Sequence, residues 1–212
     1  MTDLSLYVIT ADASDLGRTH EDVARAALTG GANIIQFRDK AKSGDELKRA
    51  AEPVRRLCAL HGVPFVMNDD AHVAAALEAD GLHVGQEDLG ELSAWMQRPR
   101  SFYGISITER GQVALAEELR PLYLGVGPVF STPSKDDAAV PRGLDGLAEV
   151  RALTDLPVVV IGGITLENAK DVMATGVDGV CVISAVARAE YPEDAVARLR
   201  EIVDRAMEAG GR

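Results

Sequence analysis

Apolar residues along the chain gather into eight short runs rich in Val, Ile and Leu. They are LYVIT (6–10), NIIQFR (33–38), PFVMN (64–68), GLHVG (81–85), FYGIS (102–106), LYLGVG (122–127), VVVIG (158–162) and GVCVIS (179–184). Their length suits strands rather than helices, and apolar runs without polar alternation mark strands covered on both faces. The segments between them carry helical periodicity. HEDVARAALTGGA places Val23, Ala26 and Ala27 on one face and ends at a glycine pair. SGDELKRAAEPVRRLCALHG opens at Ser43 with Glu46 three positions on, the spacing of a capping box. TLENAKDVMATG opens at Thr165 and stops at Gly176, which predicts another capped helix.

Strand then helix, repeated eight times with no linker or shift in composition, predicts parallel pairing and a single domain over residues 1–212. The expected fold is a closed (β/α)8 barrel with little decoration. An open doubly wound sheet is the competing architecture, but the glycine-rich turn it needs after the first strand is absent. One connection is out of scale: some 16 residues separate LYLGVG from the helical pattern at Leu144, against about 2–6 for ordinary βα loops. Loops of that length in a small barrel tend to be lids or binding segments.

Composition narrows the chemistry. Aromatics make up only 4% of the 212 residues, so the core must come from Ala, Val, Leu and Ile. A formal net charge of −11 argues against a nucleic-acid surface, because phosphate backbones are bound by basic faces. An acidic protein that takes an anionic small molecule must concentrate its cations locally, often with a metal. Cys58 and Cys181 have no metal-ligand or redox spacing and read as reduced structural thiols. The N-terminus lacks a basic n-region, and no stretch approaches the ~18 apolar residues of a membrane span, so a cytoplasmic protein without a membrane partner is expected.

In a barrel of this class the chemistry sits at the C-terminal ends of the strands. The second strand ends IIQFRDK, and alternation sends Gln36, Arg38 and Lys40 to one side and Phe37 and Asp39 to the other. The third ends MNDD and the fourth GQEDL. Asp69 and Asp88 can converge on a hard cation from adjacent strands, although an Asp at a βα junction can equally be a helix cap. Asp70 and Glu87 are expected to face away or to cap. Ser106 closes the fifth strand and suits either a rim hydroxyl or a cap. The glycine pair Gly162–Gly163 and the VISAV segment end the last two strands, where this fold holds phosphate on backbone N–H groups. His83 is read as a satisfied core or rim histidine. The long loop carries STPSKDD, two hydroxyls and an ammonium suited to anions.

Taken together, QFRDK, ND, HVGQEDL, GIS, GPVFSTPSKDD, IGGI and VISA resemble the thiamine-phosphate synthase family along nearly the whole chain. That resemblance implies a transferase that joins a hydroxymethylpyrimidine diphosphate to a thiazole phosphate, releasing thiamine monophosphate and diphosphate. Carried over by position, Gln36, Phe37, Arg38, Asp39, Lys40, Asn68, Ser106 and Lys135 hold the pyrimidine diphosphate. Asp69 and Asp88 ligate Mg2+, and Thr132, Pro133, Ser134, Gly163, Ile183 and Ser184 hold the thiazole phosphate. Arg38, Lys40, Ser106 and Lys135 are the expected catalytic groups, and two phosphorylated small molecules the expected partners; a homo-oligomer is compatible with the resemblance. The chain departs from the family pattern at Ile107, where a polar residue is common, at Ser134 for Thr, and at Ser131 for Pro. Rival readings are a thiazole tautomerase-like isomerase, against which QFRDK with Asp69 and Asp88 argues; a sugar-phosphate epimerase, which would want an acid/base pair across the sugar; and a silent phosphate-binding barrel, which should have lost some of the cations or carboxylates kept here.

Overall fold

A computed structural model describes residues 2–132 and 140–211. Eight parallel strands close on themselves in chain order: β1 (Leu6–Thr10), β2 (Ile34–Phe37), β3 (Phe65–Asn68), β4 (Gly81–Val84), β5 (Phe102–Ile107), β6 (Tyr123–Val126), β7 (Val158–Ile161) and β8 (Gly179–Val182). β1 pairs with both β2 and β8, so no strand edge is left open. Around them run α1 (His20–Thr29), α2 (Gly44–His61), α3 (Ala71–Ala76), α4 (Leu92–Trp95), α5 (Val113–Leu119), α6 (Gly143–Arg151), α7 (Ala169–Ala174), α8 (Ser184–Ala187) and α9 (Pro192–Ala209). Each predicted strand is present within two residues of its expected limits. The expected (β/α)8 barrel is the observed fold.

The apolar runs are explained by two cores. Residues pointing out of the barrel, such as Val8, Ile35, Leu82, Ile105, Val126 and Val160, pack under the helices and are fully buried. Residues pointing in form a smaller cluster that includes Tyr7, Ile9, Ile34, Val66, Tyr123 and Val159. Both faces of each strand are therefore covered, which is why the runs carry so few polar breaks. Ile107 belongs to the outer core, 0% exposed, and so does not reach the barrel mouth.

Helix starts differ from expectation in two places. Ser43 does precede α2, but its side chain makes no cap bond. α7 begins at Ala169 rather than near Thr165, because Asn168 first ties the preceding turn: its Oδ1 accepts from Thr165 N at 2.8 Å and its Nδ2 donates to Gly163 O at 2.9 Å. The side chain that would start the helix instead fixes the loop after β7. The 16 residues between β6 and α6 are described only at their ends. There, Arg142 N and Gly143 N donate to Pro128 O and Val129 O, at 3.1 and 2.9 Å, and stitch the base of the loop together.

Candidate active site

The C-terminal ends of the strands surround a cavity of about 270 Å³. Arg38 and Lys40 reach it from the turn after β2, Asn68 and Asp69 from β3, Asp88 from the turn after β4, and Ser106 from β5. The opposite wall is Thr132, Gly163, Ile183 and Ser184. Gln36, one step deeper, is 1% exposed and lines a smaller cavity of about 20 Å³ directly below, which shares Asn68, His83 and Ser106 with the larger one. The alternation in QFRDK thus operates as expected for Gln36, Arg38 and Lys40.

It also decides the other two residues of that motif. Phe37 is fully buried in the outer core and packs on His20, with ring centroids 4.4 Å apart. Asp39 lines neither cavity; its Oδ2 pairs with Lys42 Nζ at 2.5 Å and lies 3.6 Å from His20 Nε2. Neither side chain lines either cavity, contrary to the expectation that both hold the pyrimidine diphosphate, because one packs into the outer core and the other pairs within the turn. Pro133, Ser134 and Lys135 lie outside the described residues.

The aspartates divide their work by backbone geometry. Asp70 is the cap of α3, its Oδ1 accepting from Val73 N at 2.8 Å, as expected. Asp69 is thereby not needed as a cap and adopts φ of 61°, a left-handed conformation that Asp tolerates better than most residues. Its carboxylate takes a hydrogen bond from Asn68 Nδ2 and another from the Gly85 backbone. Asp88 stands at the start of a 3-10 turn without a side-chain cap bond, so its carboxylate also remains for the cavity. Burial first, and then the facing Asp88, raise the Asp69 carboxyl above the usual range, with Lys40 and Arg38 pulling the other way. Glu87, expected to turn away, lines the cavity rim.

Two cations therefore face three carboxylates among the described residues, and the wall is formally anionic by one. Such a wall repels a diphosphate unless a further positive charge bridges them. Asp69 and Asp88 offer hard oxygen donors from adjacent strands, and a divalent cation there would relieve their mutual repulsion while leaving coordination positions for substrate oxygens. The donor set fits a metal ion. A different trio, Asp12, His20 and Asp39, also brings ligand atoms within 4.8 Å of one another. Lys42 Nζ already supplies a cation at Asp39 Oδ2.

The wall at Gly163 is built by close packing against glycines. Gly162 and Gly163 have φ of 103° and 66°. A Cβ on Gly163 would sit 2.7 Å from Phe130 Cβ and 2.8 Å from Ser131 O. Val129 N and Phe130 N donate to Ile161 O and Gly162 O at 3.0 Å each, locking the start of the long loop onto the end of β7. Gly163, Ile183 and Ser184 all line the cavity at the ends of β7 and β8.

His83, expected as a satisfied core or rim histidine, is a partnered one at the base of the cavity. It lines both cavities, with Nε2 2.9 Å from Ser106 Oγ and Nδ1 3.0 Å from Tyr123 Oη. The same two-residue alternation that selects Gln36 and Arg38 puts His83 between Gly81 and Gly85 on the inward face of β4.

The family described as thiamine monophosphate synthase matches residues 6–186. A thiamine-phosphate synthase of Moorella thermoacetica is 42% identical over 207 residues, covering 97% of this chain and 99% of its own. One from Chloroflexus aurantiacus is 41% identical over 203 residues, covering 96% and 94%. Among solved structures, a thiamine phosphate pyrophosphorylase from Pyrococcus furiosus superposes with a TM-score of 0.87 at 38% identity, covering 97% of this chain and 98% of its own.

Proposed function

The chain belongs to the thiamine monophosphate synthase family, and from that premise we propose how its barrel mouth joins a hydroxymethylpyrimidine diphosphate to a thiazole phosphate. The observation that carries the reading is the division of one cavity into two unlike walls. One wall holds side-chain cations opposite paired carboxylates, and the other holds glycine backbone and the start of a helix.

Arg38 and Lys40 bind the diphosphate at the charged wall, and Lys135 adds a third cation. Gln36 and Asn68 lie deeper, where they orient the pyrimidine below its diphosphate. Thr132, Pro133, Ser134, Gly163, Ile183 and Ser184 hold the thiazole phosphate, the last three largely through the backbone. Asp69 and Asp88 hold Mg2+, which when bound neutralises charge on the diphosphate oxygens. The C–O bond to the diphosphate breaks, the pyrimidine amino group shares the positive charge left on the methylene carbon, and the thiazole nitrogen forms the new C–N bond. No nucleophile from the protein is needed. The side chains act by stabilising negative charge as it gathers on the departing oxygen, the largest single contribution in many active sites. Because both reactants are anionic and do not cross membranes unaided, this reading places the reaction in the cytoplasm; among the described residues no helix is long and apolar enough to cross a membrane.

Calorimetry with the pyrimidine diphosphate separates this function from an isomerase acting on the thiazole alone. Binding is expected with Mg2+ present and is expected to weaken at least tenfold without it. If the protein takes the thiazole phosphate yet shows no affinity for the pyrimidine diphosphate under either condition, the transferase reading is wrong.

A further inference from the structure

A hydrogen-bonded chain crosses the floor of the barrel beneath the reaction cavity. Gln36 Nε2 donates to Tyr7 Oη at 2.8 Å, Tyr7 Oη lies 2.9 Å from Tyr123 Oη, Tyr123 Oη lies 3.0 Å from His83 Nδ1, and His83 Nε2 lies 2.9 Å from Ser106 Oγ. Five residues from five strands take part, and two glycines clear the room for them. A Cβ on Gly104 would lie 2.2 Å from Tyr123 Cζ, and one on Gly125 would lie 2.8 Å from His83 Cε1. The His83 and Tyr123 rings stack at 15° with centroids 5.6 Å apart. The chain is therefore held by packing as well as by hydrogen bonds.

Its direction follows from the chemistry at one end. An amide Nε2 can only donate, so Tyr7 Oη accepts from Gln36. Burial raises both phenol pKa values, so each tyrosine carries one proton throughout the working range. The direction proposed below sends the Tyr7 proton to Tyr123 and the Tyr123 proton to His83 Nδ1. His83 is left with its ring proton on Nε2, directed at Ser106 Oγ. Ser106 accepts there, and its own proton is left for a group in the cavity that it lines. Gln86 Nε2 donates to the Ser106 carbonyl at 2.6 Å and steadies the backbone that carries the hydroxyl.

We propose that His83 is a positioning residue, which sets the Ser106 hydroxyl as a hydrogen-bond donor to the anionic oxygens of the departing diphosphate. That role rests on the function proposed above; the direction of the chain does not. With the opposite polarity Ser106 would donate into the floor and present lone pairs to an anion, which is repulsive where the charge builds. A donor fixed beforehand needs no reorientation at the moment of bond cleavage.

Nitrogen-15 spectra of histidine-labelled, ligand-free protein read the tautomer directly, with the His83 signals assigned by their loss in His83→Gln. The expected result is a single ring proton on Nε2, with Nδ1 as acceptor. A proton on Nδ1, alone or with Nε2, overturns the proposal whatever the activity. Gln36→Glu should reverse the chain, because a carboxylate accepts from Tyr7, and should move the His83 proton to Nδ1; a folded Gln36→Glu protein with an unchanged tautomer also overturns it. In kinetics, His83→Gln keeps an N–H near the Nε2 position, whereas His83→Leu has none. His83→Leu should lose roughly tenfold to a hundredfold in kcat with little change in KM for the thiazole phosphate, and His83→Gln should recover most of it. Equal rates in the two variants count against the role. Failure of the parent protein to form product defeats the functional reading and leaves the tautomer result standing.

Discussion

Replacing Gly163 by alanine tests the backbone wall of the cavity, and the structure sets the size of the effect. Two costs add. A left-handed residue with a Cβ costs about 1–2 kcal/mol. The new Cβ would also lie 2.7 Å from Phe130 Cβ and 2.8 Å from Ser131 O, and the latter is backbone that cannot swing aside. Overpacking of that kind adds about 1–3 kcal/mol. Gly62 supplies the control: its φ is 66°, like that of Gly163, but nothing lies within 4 Å of its Cβ position. Urea unfolding should give a loss of roughly 2–5 kcal/mol for Gly163→Ala against roughly 1–2 kcal/mol for Gly62→Ala. Steady-state kinetics on the folded fraction should show a raised KM for the thiazole phosphate in Gly163→Ala alone, with KM for the pyrimidine diphosphate little changed. Equal stability losses would refute the packing argument. A large stability loss with an unmoved KM would mean that this turn is tightly packed but does not cradle the phosphate.

The remaining predictions concern charge. Asp69 has a raised carboxyl pKa, so its ionisation opposes folding: metal-free stability should fall as pH rises from the ordinary carboxylate range through the folded value, and stay low above it. Asp69→Asn, which keeps the left-handed backbone acceptable, should therefore raise the melting temperature without metal near neutral pH while lowering turnover strongly; an unchanged or lower melting temperature contradicts this. Arg38→Ala should weaken the pyrimidine diphosphate step more severely than Ser184→Ala weakens thiazole phosphate binding, and apparent affinities for both substrates in both variants would expose swapped sites. Lys135→Ala should lower kcat at least as much as it raises KM, by roughly a hundredfold, or about 3 kcal/mol. Lys135→Arg should restore only part of that because a planar fork does not replace a compact ammonium, and parental rates in Lys135→Ala would remove the lysine from the mechanism.

The fold was legible because burial on both faces leaves unbroken apolar runs, and a run as short as VVVIG between two turn signals suits little besides a covered strand. The placement of the two cations was legible for a related reason: a strand continuing past its last apolar residue keeps its alternation, so Gln36, Arg38 and Lys40 share a side. A contiguous motif hides that rule. Phe37 and Asp39 fall within QFRDK, yet one packs on His20 and the other pairs with Lys42. His83 was legible only as a satisfied core or rim histidine, because its partners Tyr123, Ser106 and, through Tyr7, Gln36 come from distant strands, and no local spacing announces them. Helix starts were misread where a side chain serves a loop. Asn168 ties the turn after β7 rather than capping α7 by its side chain, and that depends on where Gly163 lies in space.

The most direct test of the account is the reaction itself, with both products counted. Purified protein, hydroxymethylpyrimidine diphosphate and thiazole phosphate should yield thiamine monophosphate and diphosphate in equal amounts in the presence of Mg2+. Omission of the metal or substitution Asp88→Ala should each reduce the rate strongly while circular dichroism stays unchanged. Diphosphate release without thiamine monophosphate, or a rate indifferent to both Mg2+ and Asp88, would contradict the account at its centre.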